Sequence, residues 1–250
     1  RQMCIRDRTK SSSYWVLAVL FAALVWLTYS YNYNFPLQSL VDNSKLKGRT
    51  FQGQAEQITA PLSGVKAYFM SEKDSPLVAV SFVFDYAGTA YEPLGKGGVA
   101  GLTAATLKDG AGKQSAESLR DELGNKGINI SFGADRDVFS GQMTAPKENM
   151  EKAAELLQKV LSSPRFETKY VENARAVALK ALSAEKENPG QELSLAFNRM
   201  IYDNHAYGRN PLGNQASINK ITRDDLQKFV KHNFNRDNLY AVSYTHLRAH

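Results

Sequence analysis

The chain has 250 residues, with 31 Lys and Arg against 25 Asp and Glu, a net charge of +6 and one cysteine. A hydrophobic content of 43% with 22% charged residues is that of a folded protein and excludes a disordered chain. Bases alternate with acids, as in Lys147-Glu148 and Glu185-Lys186-Glu187, which argues against nucleic-acid binding, and the single Cys4 excludes a disulfide framework or a Cys-type zinc site.

The first eight residues, RQMCIRDR, and the last eight, SYTHLRAH, do not continue the patterns beside them. Both resemble translated sequencing-adaptor DNA, so 1–8 and 243–250 are set aside as foreign tails, and Cys4, His246 and His250 with them. Tyr14 to Leu27 is an unbroken apolar run that Thr28 to Tyr31 prolongs. Residues 14–31 just reach the roughly 17–20 needed to span a bilayer. Trp15, Trp26, Tyr29 and Tyr31 lie near its ends, where interfacial aromatics belong. A cleaved signal peptide needs small residues after the run, and here it is followed by TYSYNYNFP. Residues 9–31 are therefore expected to form a signal anchor, with a signal peptide as the alternative. Residues 32–55, polar with Pro36, read as a linker, and 56–242 as the folded domain.

Within that domain, Val78, Val80, Phe82 and Phe84 alternate with smaller or polar residues, predicting a strand over 77–86. Gly64 to Met70 is its expected hairpin partner. A helix over Gly98 to Lys108, ended by Gly110, and a short one over Ser115 to Leu123 follow. Ile128, Ile130 and Phe132, then Phe139, Gly141, Met143 and Ala145, predict a hairpin turning at Asp135-Arg136-Asp137. Pro146 is expected to begin a helix with Met150, Ala153, Leu157 and Val160 on one face, stopped by Pro164. Thr168 to Glu187 is another, stopped by Asn188-Pro189-Gly190, and Leu193, Phe197, Met200 and Ile201 mark the next. Thr222 with Asp225 predicts a capping box, and Ile221 with Leu226 its hydrophobic staple, on a helix to about Asn233. Residues 238–242 read as a strand with nothing after it to pack on, suggesting a truncated reading frame. The expected class is α+β, with helices on one side of a mostly antiparallel sheet and one transmembrane helix in front.

Two segments carry a resemblance. FDYAGTAYEPLGKGGVAGLTAATLKDGAG is similar to the first strand and active-site helix of the insulinase/pitrilysin family, the inverted zincins. AYGRNPLGNQASINKITRDDLQKFVKHNFNRDNLYAV is similar to that family's later Tyr-Gly-x-x-Pro-Leu-Gly turn, helix and strand. The resemblance, which includes the order of elements, covers about residues 56–242, one homologous half of a two-half family unit. The resemblance implies a mitochondrial-processing-peptidase-like metallohydrolase fold. It also explains Gly95-Lys-Gly-Gly98 as the turn into the active-site helix, not a phosphate cradle.

Active members carry H-x-x-E-H on that helix: two His bind zinc and the Glu is general base, with a later Glu as third protein ligand. Carried over residue by residue, Gly101 and Ala105 occupy the His positions and Ala104 the general-base position. The later E-R-x-V-x-x-x-E pattern falls on residues 174–181, with Arg175 and Val177 matching, Ala174 at the first acid and Ala181 at the third ligand. Gly and Ala offer neither a lone pair to a cation nor a group to move a proton, so no catalytic residue, metal ligand or cofactor is expected. Alanine also packs closely between helices, which predicts that the old pocket is filled and dry. His205 and His232 lack an i, i+4 partner, and Glu172 and Glu185 are expected to be solvated helix residues.

The resemblance implies a non-catalytic subunit pairing with an active insulinase-family zinc peptidase to bind or enclose peptide substrates. With the apolar run it implies a bacterial inner-membrane protein facing the periplasm, or one released there after signal cleavage. The rivals are an active peptidase with a zinc motif outside this fragment, and a purely structural assembly subunit.

Overall fold

The computed structural model describes residues 56–59, 66–70 and 75–244. The apolar run 14–31 and the linker lie outside them. Among the described residues no helix is long and apolar enough to cross a membrane.

Among the described residues six strands form one sheet: β1 (Glu56–Thr59), β2 (Lys66–Met70), β3 (Leu77–Asp85), β4 (Asn129–Ala134), β5 (Val138–Pro146) and β6 (Leu239–Tyr244). The order is β1-β2-β6-β3-β5-β4, antiparallel throughout except for the β2–β6 pair. The hairpin predicted at 128–145 is there, with Ile130 opposite Met143 and Ala134 opposite Phe139. The hairpin predicted between Gly64–Met70 and 77–86 is not. β6 stands between β2 and β3, pairing Tyr68 with Val242 on one side and Val242 with Ser81 on the other. The final strand is thus packed on both edges, and it runs through Ser243 and Tyr244, into the segment set aside as foreign.

The alternation decides which face is covered. Phe82, Phe84, Ile130, Phe139, Met143 and Ala145 point into the core, while Ser81, Ser131 and Gln142 lie on the other face. Phe82 lies over Gly141, its partner across the ladder, where a Cβ would sit 2.2 Å from the ring tip. Only glycine leaves room for that ring.

The helices are α1 (Val99–Thr106), α2 (Ala116–Asn125), α3 (Met150–Ser162), α4 (Thr168–Glu187), α5 (Pro189–Tyr202), α6 (Gln215–Lys220) and α7 (Arg223–Asn233). Leu102, Leu119, Leu156, Val171, Ile218 and Phe229 carry α1, α2, α3, α4, α6 and α7 onto the same sheet face, giving helices on one side of a largely antiparallel sheet, while α5 packs on α4 and on the turn at 206–208. Pro146 proves to be the last residue of β5, and a 3₁₀ turn at 147–149 separates it from α3. The Thr222–Asp225 capping box forms in both directions.

Candidate functional site

The site the sequence points to lies where α1 packs on α4. α1 begins at a backbone crossing that tolerates no side chains. Gly98 is left-handed, with φ +96, and a Cβ there would lie 2.9 Å from the Leu212 carbonyl oxygen. Gly213, with φ +78, would place a Cβ 2.2 Å from the Gly97 carbonyl oxygen. The Gly95–Gly98 run and the Pro211-Leu212-Gly213 turn therefore meet backbone to backbone, and Ser217 Oγ ties them by donating to Gly97 O at 2.7 Å. Lys96 Nζ adds a 2.6 Å pair with Asp225 and a bond to Lys220 O. The glycine run forms the turn into α1, as the resemblance implied.

Glu92 holds the start of the helix. It is buried, and its two oxygens accept from Gly98 N at 2.9 Å and Ala100 N at 2.8 Å. The partial positive charge of a helix N-terminus favours an anion there. Burial works the other way and dominates, pushing the carboxyl up to about 7 against the pull of those amides and Arg209. Sequence reasoning missed Glu92. The signal was a lone acid six residues ahead of a glycine-led helix.

The buried face of α1 is Val99, Ala100, Leu102, Thr103 and Thr106. Both threonine hydroxyls donate to carbonyls one turn back, at 2.8 and 2.7 Å, so no polar group is stranded. Gly101 and Ala105 fall on the opposite, exposed face, and Ala104 is half-buried against the core. On α4, Ala174 and Ala178 are half-buried, while Val177 and Ala181 are exposed.

The expectation of a closed pocket is overturned. A Cβ at Gly101 would meet nothing within 4 Å, and Ala105 and Ala181 face open space. Small side chains leave this face uncovered, because Val99, Leu102, Val171 and Leu182 point the other way, into the core.

Arg175, which matches the family pattern, anchors α4. Its guanidinium donates to Ile221 O at 2.8 Å and to Ile218 O, and pairs with Glu172 at 3.0 Å. Glu185 accepts from Asn210, so both flanking carboxylates are engaged. His205 accepts from Tyr207 N through Nδ1 and caps the turn at 206–208, while His232 is exposed on α7. That turn is fixed to the β4–β5 hairpin by Tyr207 Oη donating to Asp137 at 2.6 Å and Arg136 donating to Tyr207 O.

The model of the family described as Insulinase (Peptidase family M16) matches residues 68–215. The chain belongs to the insulinase family. It is 25% identical over 184 residues to mitochondrial-processing peptidase subunit beta of Dictyostelium discoideum, covering 73% of this chain and 39% of the relative. It is 27% identical over 135 residues to the Helicobacter pylori protein named non-peptidase homolog YmxG, covering 54% of this chain and 31% of that one. A peptidase M16 inactive domain from Pseudomonas fluorescens has the same fold, with TM-score 0.72 at 22% identity over 78% of this chain and 47% of its own. The chain spans less than half the length of these relatives.

Active insulinases hold zinc, and the residues here do not fit it. The three ligand positions read from the resemblance carry Gly101, Ala105 and Ala181, none with a donor atom. Among the described residues no group of three or more His, Cys, Asp or Glu is placed to hold a metal ion.

Proposed function

We propose that this insulinase-family chain is a non-catalytic subunit that pairs with an active zinc peptidase of the same family and helps enclose peptide substrates. The donor-free α1–α4 face carries the reading: with Gly101, Ala104, Ala105 and Ala181 at the ligand and general-base positions, the face has nothing to bind a cation or to take a proton from water. The relative named a non-peptidase homolog and the fold match to an inactive domain support it.

Pairing draws support from α5. Leu193, Phe197, Met200 and Ile201 share one helical face and are all more than half exposed. Contiguous exposed apolar surface of this kind marks a protein interface. In the same reading the chain is anchored through residues 14–31 to a bacterial inner membrane, with the domain in the periplasm.

The test is metal content together with turnover. Purified protein, dialysed and analysed for zinc, is expected to hold no stoichiometric metal and to leave an unstructured fluorogenic peptide intact. About one zinc per chain, or chelator-sensitive hydrolysis, would overturn the reading. Gly101→His, Ala104→Glu, Ala105→His and Ala181→Glu together calibrate the assay. Gly101, Ala105 and Ala181 are exposed and admit longer side chains, whereas Ala104 is half-buried against the core, so circular dichroism checks that the variant folds. Ala174, where the family has a further acid, leaves ligand orientation unsupported, which costs about 10–100-fold in metal affinity or activity.

A further inference from the structure

A concavity lies outside the α1–α4 face, between α7 and the loop that leads into α1. Its volume is about 690 Å³, within the roughly 300–1,000 Å³ of small-molecule sites. Val99 and Phe229 form its apolar floor, and the half-exposed Tyr91 and the protruding Leu94, 85% exposed, form one wall. The other wall is the basic side of α7, with Lys228, Lys231 and His232.

The polar groups around it are already sorted. Lys96 is paired with Asp225, Lys228 with Asp224, and Asn233 donates to Phe229 O. Lys231 and His232 have no side-chain partner among the described residues. The groove thus offers an apolar floor, with the unpaired ammonium of Lys231 and the imidazole of His232 on its α7 wall. A peptide backbone would find few partners there, because the helical wall has satisfied its own amides. A bilayer takes a convex surface, and this one is concave.

We propose that this groove binds a single-chain amphipathic carboxylate, with its alkyl chain over Val99 and Phe229 and its carboxylate at Lys231 and His232. Charge selects an anionic head group, since Lys231 is a compact point charge with no side-chain partner of its own. The floor selects chain length, at about fourfold in affinity per buried methylene. The proposal is independent of the pairing and peptidase reading, and neither Lys231 nor Leu94 belongs to the α1–α4 face.

The experiment is equilibrium dialysis of the full chain against labelled octanoate, decanoate and decyltrimethylammonium, all below their micelle ranges. Lys231→Glu and Leu94→Asp change exposed side chains, and circular dichroism checks that both fold. We expect saturable uptake of decanoate, tighter than octanoate, falling at least tenfold in each variant, and at least tenfold weaker uptake of the cationic amphiphile. Uptake that is equal in wild type and both variants would overturn the proposal by placing the amphiphile elsewhere, the apolar run 14–31 included. Equal binding of the cation would overturn the head-group assignment. A dimer that takes up no decanoate and that Leu94→Asp makes monomeric would show that a second copy covers the groove instead.

Discussion

Glu92 places an acid with a raised pKa in a wall that holds two backbones together. Its folded-state pKa of about 7 lies above its ordinary 4.5, so the folded protein binds the extra proton between those values. The stabilisation this gives is fully present below pH 4.5 and is lost as pH rises through 7, to the order of 3 kcal/mol. Glu92→Gln removes the titration, but its amide NH₂ must face one of the two N–H donors, at a cost of about 1–3 kcal/mol. Urea denaturation of both proteins at pH 5 and pH 8 should therefore show the gap between them shrinking at the higher pH. Two glycines make the complementary case. Gly213→Ala sets a Cβ against the Gly97 carbonyl at positive φ and is expected to cost more than 2 kcal/mol, on the order of other strained sites. Gly101→Ala enters empty space on a helix and is expected to stabilise by about 1 kcal/mol. The same denaturation experiment reads both.

At the scale of elements, one side chain ties α4 to the α6–α7 junction. Arg175 spans from α4 to the carbonyls at the end of α6 and the start of α7. Arg175→Met keeps the aliphatic stem and loses those bonds, which are charge-assisted and worth about 1.5–3 kcal/mol each. Hydrogen exchange should show amides of 215–221 losing protection while those of β3 and β5 keep theirs. The sequence made much of this layer legible. Period-two alternation found β4 and β5, and the Thr222 box fixed the start of α7, because both signals are local. α6 was missed because six residues between Asn214 and Ile221 carry too little periodicity. The α5 residues share a face as predicted, but periodicity says only that they lie together, not what covers them. The β2–β3 hairpin failed for the opposite reason: its true partner is more than 150 residues away. At the site, the family motif located α1 and α4. It could not show that Gly101 and Ala105 face outward, since that depends on where the rest of each helix is buried.

For the whole molecule, the candidate anchor sets the remaining prediction. If residues 14–31 span a membrane, full-length protein stays in the membrane fraction after an alkaline wash, whereas a chain starting near residue 45 is released. A mature chain cut just after Ser30 would show a signal peptide instead. The position of β6 has a consequence for synthesis. Lys66 aligns with Tyr240 in the β2–β6 pair, and β6 alone joins β1 and β2 to the rest of the sheet. A contact of that sequence separation pays its loop-closure entropy before it gains anything. β3, β5 and β4 with their helices can assemble while the chain is still being made. The β1–β2 ribbon has to wait with a bare edge until residue 244 has left the ribosome. Nascent chains arrested after β5 and after β6 should differ in one respect: only the longer protects β2 from protease.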